Sequence, residues 1–174
     1  MILRVLTLFI LVQMQIFAAN YNSTIVELEA KLFPKMLMLS EDLNKESHNL
    51  DIYIVAQEID FTQAKVFKET IESIYTEKLM NKNVRVSIKD FDSIDNYPDG
   101  IIVLYHSYEE TLQIANWANS NKIVSFAYDP SYLDFGILAS IYIGVSTKPY
   151  LNKYVIKKYN FNFNPYLLEL SKFK

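Results

Sequence analysis

Cysteine is missing from this sequence altogether, and glycine occurs only three times in 174 residues. Without cysteine there is no disulfide framework, no thiolate nucleophile and no cysteine-ligated metal. So few glycines leave no Gly-rich phosphate loop. Histidine is scarce too: His48 and His106 stand far apart, at no metal-ligand spacing. A surplus of positive charge is also lacking. The chain carries 17 basic and 20 acidic residues, which argues against a general nucleic-acid binder. Beyond the first 17 residues no apolar run approaches the roughly 20 residues that span a bilayer.

The N-terminus has the order of a secretory signal peptide. Arg4 gives a basic start, Val5 to Phe17 is apolar apart from Gln13 and Gln15, and Ala18-Ala19 supplies small residues before a polar stretch. We expect a signal peptide over 1–19 and one domain over 20–174; the alternative is an uncleaved N-terminal anchor. Removing Arg4 leaves 16 basic against 20 acidic residues, a net charge of −4. Low glycine with abundant Lys, Ile and Asn suggests an AT-rich bacterial genome, so the expected location is the periplasm. With 51% hydrophobic and 14% aromatic residues, the remaining chain has enough apolar material for a core without covalent staples.

The pattern along the chain alternates between helical and strand periods. Ser23 to Leu39 predicts a helix, with Thr24 and Glu27 at capping-box spacing and Pro34 placed to kink or divide it. Leu50 to Ala56 predicts a buried strand, followed by a helix capped by Asp60 or Thr62 and reaching about Met80. Val84 to Ile88 reads as a less buried strand. Pro98-Asp99-Gly100 turns into an apolar strand at 101–105, and Ser107 with Glu110 forms a capping box for the next helix. A further strand is expected over Lys122 to Tyr128. Strands apolar on both faces, alternating with helices, predict a flavodoxin-like or Rossmann-like three-layer α/β sandwich with a mostly parallel sheet. Beyond Gly136 we expect one or two strands, antiparallel, and a terminal helix opened by Asn164-Pro165. The Lys- and Tyr-rich segment 150–159 reads as an amphipathic strand whose lysines shield a sheet edge. It could alternatively face an acidic partner or anionic lipid heads.

Ligands of such sheets bind in the loops after the strands. That rule selects the loops holding Gln57, Glu58 and Asp60 after the first strand, His106, Ser107 and Tyr108 after the third, and Tyr128, Asp129 and Ser131 after the fourth, with Gln57, His106, Ser107, Tyr108, Tyr128 and Asp129 as the candidate ligand-binding residues. Each has a bland reading beside it: Ser107 as a helix cap, His106 as a buried structural histidine, Asp129-Pro130 as turn chemistry, and the tyrosines as cover for the sheet. A Ser-His-Asp set of Ser107, His106 and Asp129 can be written down, but no nucleophile elbow accompanies it. The Asp90 to Asp99 cluster reads as a solvated loop. No catalytic residue, metal or cofactor is expected.

Two segments carry a resemblance. The helix Glu29-Ala30-Lys31-Leu32-Phe33-Pro34-Lys35-Met36-Leu37, and the ending of Asn152 followed by Asn164-Pro165-Tyr166-Leu167-Leu168-Glu169-Leu170-Ser171-Lys172, resemble the YfiR-like family of small periplasmic regulators. The resemblance implies an α/β fold, often dimeric. It also implies repression of a membrane diguanylate cyclase through that enzyme's periplasmic domain, lowering cyclic-di-GMP signalling. Disulfides tune this control in some members, and without cysteine that feature does not carry over. The glycine-rich turn of the family is reduced here to Gly136 and Gly144. The expected function is therefore a non-enzymatic regulator bound to the periplasmic domain of a membrane signalling protein, a diguanylate cyclase or sensor kinase. The alternative is a periplasmic small-ligand-binding protein associated with a transporter or sensor kinase. A hydrolase using scattered carboxylates, testable by replacing Asp129 and His106, is the third reading.

Overall fold

The computed structural model describes residues 21–174; the expected signal peptide lies outside the described residues. The first described helix, α1 (Ser23–Met38), is capped by Asn22, whose side chain accepts hydrogen bonds from the backbone N–H groups of Thr24 and Ile25. The cap therefore lies two residues before the expected Thr24. Asn22 holds extended φ/ψ with its side-chain oxygen over the first turn, which is what a cap requires. Pro34 neither breaks nor divides α1. Burial of Pro34 with Phe33 and Leu37 against the sheet holds the helix continuous across the missing donor.

From there the chain alternates. Strand β1 (Asn49–Val55) leads through a 3-10 turn into α2 (Phe61–Ile74), and β2 (Asn83–Lys89) follows. Then come β3 (Gly100–Val103), α3 (Tyr108–Ser120) and β4 (Val124–Ala127). A 3-10 segment, Pro130–Phe135, precedes β5 (Ala139–Ile143), β6 (Thr147–Leu151), α4 (Lys153–Tyr159), α5 (Pro165–Leu170) and β7 (Lys172–Phe173). The seven strands form one sheet in the order β2-β1-β3-β4-β5-β6-β7. Pairs β1–β2, β1–β3, β3–β4, β4–β5 and β6–β7 are parallel, and β5–β6 is antiparallel. The first five strands thus have the 2-1-3-4-5 order of the flavodoxin-like arrangement.

The apolar runs on both faces of β3 and β4 explain the layering. Ile102, Phe126, Ile52 and Ile54 join Phe33 and Leu37 of α1 and Phe67 and Ile71 of α2 in one core. Ile101, Val103 and Ala127 join Ile114, Ala115 and Ala118 of α3 in a second core on the opposite face. Phe33 stacks on Phe126 with ring centroids 4.7 Å apart and lies 6.4 Å from Phe67, so α1 and α2 share one face. Gly100 permits this closeness: a Cβ there would lie 2.9 Å from Leu37 Cδ2 and 3.2 Å from the Val124 carbonyl oxygen.

Three expected elements differ. Helix α2 ends at Ile74, short of Met80, where Tyr75 leaves helical geometry (φ −110°, ψ 49°); farther on, Leu79 to Lys82 closes a two-residue turn in which Met80 (φ 48°) and Asn81 (φ 74°) are left-handed. Asp60 stands at the α2 cap position, but its side chain makes no cap bond; it is buried beside Tyr21 instead. The Lys- and Tyr-rich segment is a strand only as far as Leu151, after which Asn152 caps the helix α4 by accepting from Val155 N–H at 3.1 Å. A side-chain cap placed between two Lys-Tyr pairs converts the second into a helix whose Val155 is buried. The sheet edge is formed by β7, two residues that pair with Tyr150 and Leu151.

Candidate functional site

The carboxyl ends of β1, β3 and β4 open on two neighbouring cavities. The first, of about 330 Å³, lies where the strand order reverses between β1 and β3 and is bordered by Gln57, Asp90, Phe91, Asp92, His106, Glu110 and Gln113. Gln57 Nε2 donates to both Glu110 carboxylate oxygens at 2.9 Å. Ser107 completes the expected capping box: its Oγ accepts from Glu110 N–H at 3.3 Å and donates to Glu110 Oε2 at 2.6 Å, while its backbone N–H donates to the same oxygen at 3.1 Å. Hydrogen bonds from the Ser107 hydroxyl and N–H hold the Glu110 carboxyl below its ordinary pKa, so Glu110 is an ionised cap rather than an acid. Asp90 and Asp92, expected in a solvated loop, border this cavity.

The second cavity, of about 290 Å³, is bordered by Tyr21, Ile25, Leu104, Tyr105, Tyr128, Asp129, Pro130 and Tyr132. Tyrosine hydroxyls knit its wall to the backbone. Tyr21 Oη accepts from Tyr105 N–H at 3.1 Å, and Tyr128 Oη accepts from Asn22 N–H at 2.8 Å. Tyr132 Oη accepts from His106 N–H at 2.8 Å and donates to His106 carbonyl at 2.9 Å. The Tyr21 and Tyr128 rings meet at 4.6 Å and 52°. Burial raises the hydroxyl pKa of Tyr21, Tyr128 and Tyr132, keeping all three protonated at neutral pH.

Two buried carboxyls stand behind this wall. Asp60 hydrogen-bonds Tyr21, and burial raises its pKa, while Tyr21 and the charge of His106 pull it the other way. Glu29, on α1 one turn after Ile25, is 1% exposed, and its Oε2 has no hydrogen-bond partner among the described residues. Burial, with a smaller push from the Asp129 charge, raises the Glu29 pKa to about 9.

The six residues expected at the strand ends therefore divide. Gln57 and His106 border the polar cavity, and Tyr128 and Asp129 border the tyrosine cavity. Ser107 is occupied as a cap, and Tyr108 lies outside both cavities, edge-on to Phe135 at 4.8 Å. The paper triad does not assemble: Ser107 Oγ bonds Glu110, His106 Nδ1 lies 3.2 Å from the Leu104 carbonyl, and Asp129 accepts from Ser131 N–H at 2.8 Å. Among the described residues no group of three or more His, Asp or Glu is placed to hold a metal ion. None of the described helices is long and apolar enough to cross a membrane. Sequence reasoning missed Tyr21, Tyr105, Tyr132 and Glu29, and it placed Asp60 in the strand-end loop as a helix cap. Tyr105 ends the apolar run 101–105 and was within reach of the strand-end rule; Tyr21 precedes α1 and Glu29 lies on it, and no local pattern reveals where that helix docks.

Known proteins add the fold class. No family model and no curated protein matches the sequence. Among solved structures, a conserved domain protein from Vibrio cholerae O1 biovar El Tor superimposes with a TM-score of 0.59 at 12% identity, over 85% of this chain and 59% of that one. An ABC domain in complex with L-Trp from Streptococcus pneumoniae superimposes with a TM-score of 0.52 at 11% identity, over 85% of this chain and 61% of that one. The chain thus spans about three-fifths of the length of these two structures. At such identities the likeness defines an α/β domain of this topology.

Proposed function

We propose that this chain is a non-enzymatic sensory binding protein of the periplasm, which holds a small ligand in the tyrosine cavity and regulates a membrane signalling protein by docking on its periplasmic domain. The observation that carries the reading is the open, tyrosine-walled cavity at the ends of β3 and β4, where sheets of this kind take ligands. Its polar wall atoms bond to neighbouring backbone, an arrangement suited to recognition. Docking is supported by Ile143 and Val145, which stand exposed at the β5–β6 turn, and the diguanylate cyclase or sensor kinase partner rests on the YfiR-like resemblance. The test is a bacterial two-hybrid and pull-down screen against membrane cyclases and kinases encoded nearby. Capture of one, weakened by Val145→Glu, is expected; capture of none removes the regulatory reading.

A second reading, a ligand carrier associated with a transporter or sensor kinase, is favoured by one observation: the Streptococcus structure of similar fold holds L-Trp. A thermal-shift screen of amino acids and other small solutes separates the two, because a carrier is stabilised by its solute in the absence of any partner.

A further inference from the structure

We infer that the tyrosine cavity selects a small organic cation, an ammonium or quaternary ammonium head held against the rings of Tyr21, Tyr105, Tyr128 and Tyr132 with Asp129 at its border. This rests on the reading of the cavity as a ligand site and goes further by naming the chemistry it takes.

The argument begins with what the wall offers. The hydroxyls of Tyr21, Tyr128 and Tyr132 each accept from a backbone N–H, so the surface left to a ligand is largely ring. Aromatic rings carry negative π faces and attract cations, most strongly where water is excluded. None of the described residues bordering the cavity is a lysine, arginine or histidine, and Asp129 is the carboxylate among them. An anion would find no counter-charge here.

Two acidic side chains stand behind the wall: Asp60 lies against Tyr21, and Glu29 lies near Tyr128 and Asp129. The volume of about 290 Å³ suits a head group with a short arm.

The test is calorimetric titration of the purified protein with choline, with its uncharged carbon isostere 3,3-dimethylbutan-1-ol, and with L-Trp as a zwitterionic aromatic. Choline is expected to bind about tenfold or more tighter than the isostere. Asp129→Asn and Tyr128→Leu should each weaken choline about tenfold, whereas Tyr128→Phe, which keeps the ring, should retain binding; melting curves confirm that each variant folds. Equal or tighter binding of the isostere or L-Trp, lost in Tyr128→Leu, overturns the cation inference and leaves the cavity as a ligand site. Failure of all three probes, or choline binding that survives Tyr128→Leu, overturns the cation inference and removes this support for the cavity.

Discussion

Glu29 concentrates the tension in this molecule. Its position on α1 is set by helical periodicity: with Val26, Ala30 and Phe33 it occupies the buried face. A carboxyl held at a pKa of about 9 against an ordinary 4.5 keeps a proton that the unfolded chain surrenders. Between those two values the folded state binds more protons than the unfolded one, so stability from this group is present below pH 4.5 and is lost as pH rises towards 9. Glu29→Gln removes the titration while keeping the shape. Urea denaturation of both proteins should show the difference in stability moving in favour of the variant by about 1.4 kcal/mol per pH unit across that window. A difference independent of pH would show that Glu29 is ionised in the folded protein. Nothing local marked this residue, because a glutamate in a helical pattern is ordinarily a solvated one and only the docking of α1 over β4 buries it.

At the scale of elements, the strongest sequence signals were those made of neighbouring residues. The capping box of Ser107 and Glu110 forms as its spacing predicts, since the two partners lie only three residues apart. Ser107→Ala should therefore lower stability by about 1 kcal/mol with the urea m-value unchanged. The end of α2 was harder to read. Apolar residues continue through Tyr75 and Leu79, yet the chain turns because Met80 and Asn81 both accept left-handed φ, a conformation the sequence does not advertise at a methionine. Such a turn prefers Asn-Gly. The double variant Met80→Asn, Asn81→Gly should raise the melting temperature, by about 1 kcal/mol of added stability, since Met80 is 66% exposed and gives up little burial. An unchanged or lower melting temperature would mean that the methionine packs in solution. The Lys-Tyr segment misled for a related reason: its alternation suits a strand, and Asn152, which decides for a helix, is anchored by donating Nδ2 to the Leu133 carbonyl at 2.7 Å across 19 residues.

For the molecule as a whole, the parallel centre was legible because β3 and β4 are apolar on both faces, whereas the edges were not. Edge strands are short and carry charge or proline rather than a two-sided apolar run, so they leave little pattern to read. Here β7 closes the sheet with two residues: Lys174 N–H donates to the Leu151 carbonyl at 2.9 Å, the Lys174 ammonium pairs with Asp134, and the Lys172 ammonium sits 3.5 Å from the centre of the Tyr142 ring. Removing residues 172–174 deletes these contacts and frees the backbone of Tyr150 and Leu151. Partly exposed ion pairs contribute little, and the Lys172–Tyr142 contact and the ladder bonds somewhat more, so a loss of about 1–3 kcal/mol is expected in denaturant unfolding. A bared edge usually invites pairing with a second copy, but β6 carries its own guard. Pro149 has no N–H to offer, and Lys148 beside it brings charge to the strand. The truncated protein should therefore keep the oligomeric state of the intact chain in analytical ultracentrifugation, at concentrations where an unguarded edge would associate. New dimers on truncation would show that β7, rather than Pro149 and Lys148, protects this side of the sheet.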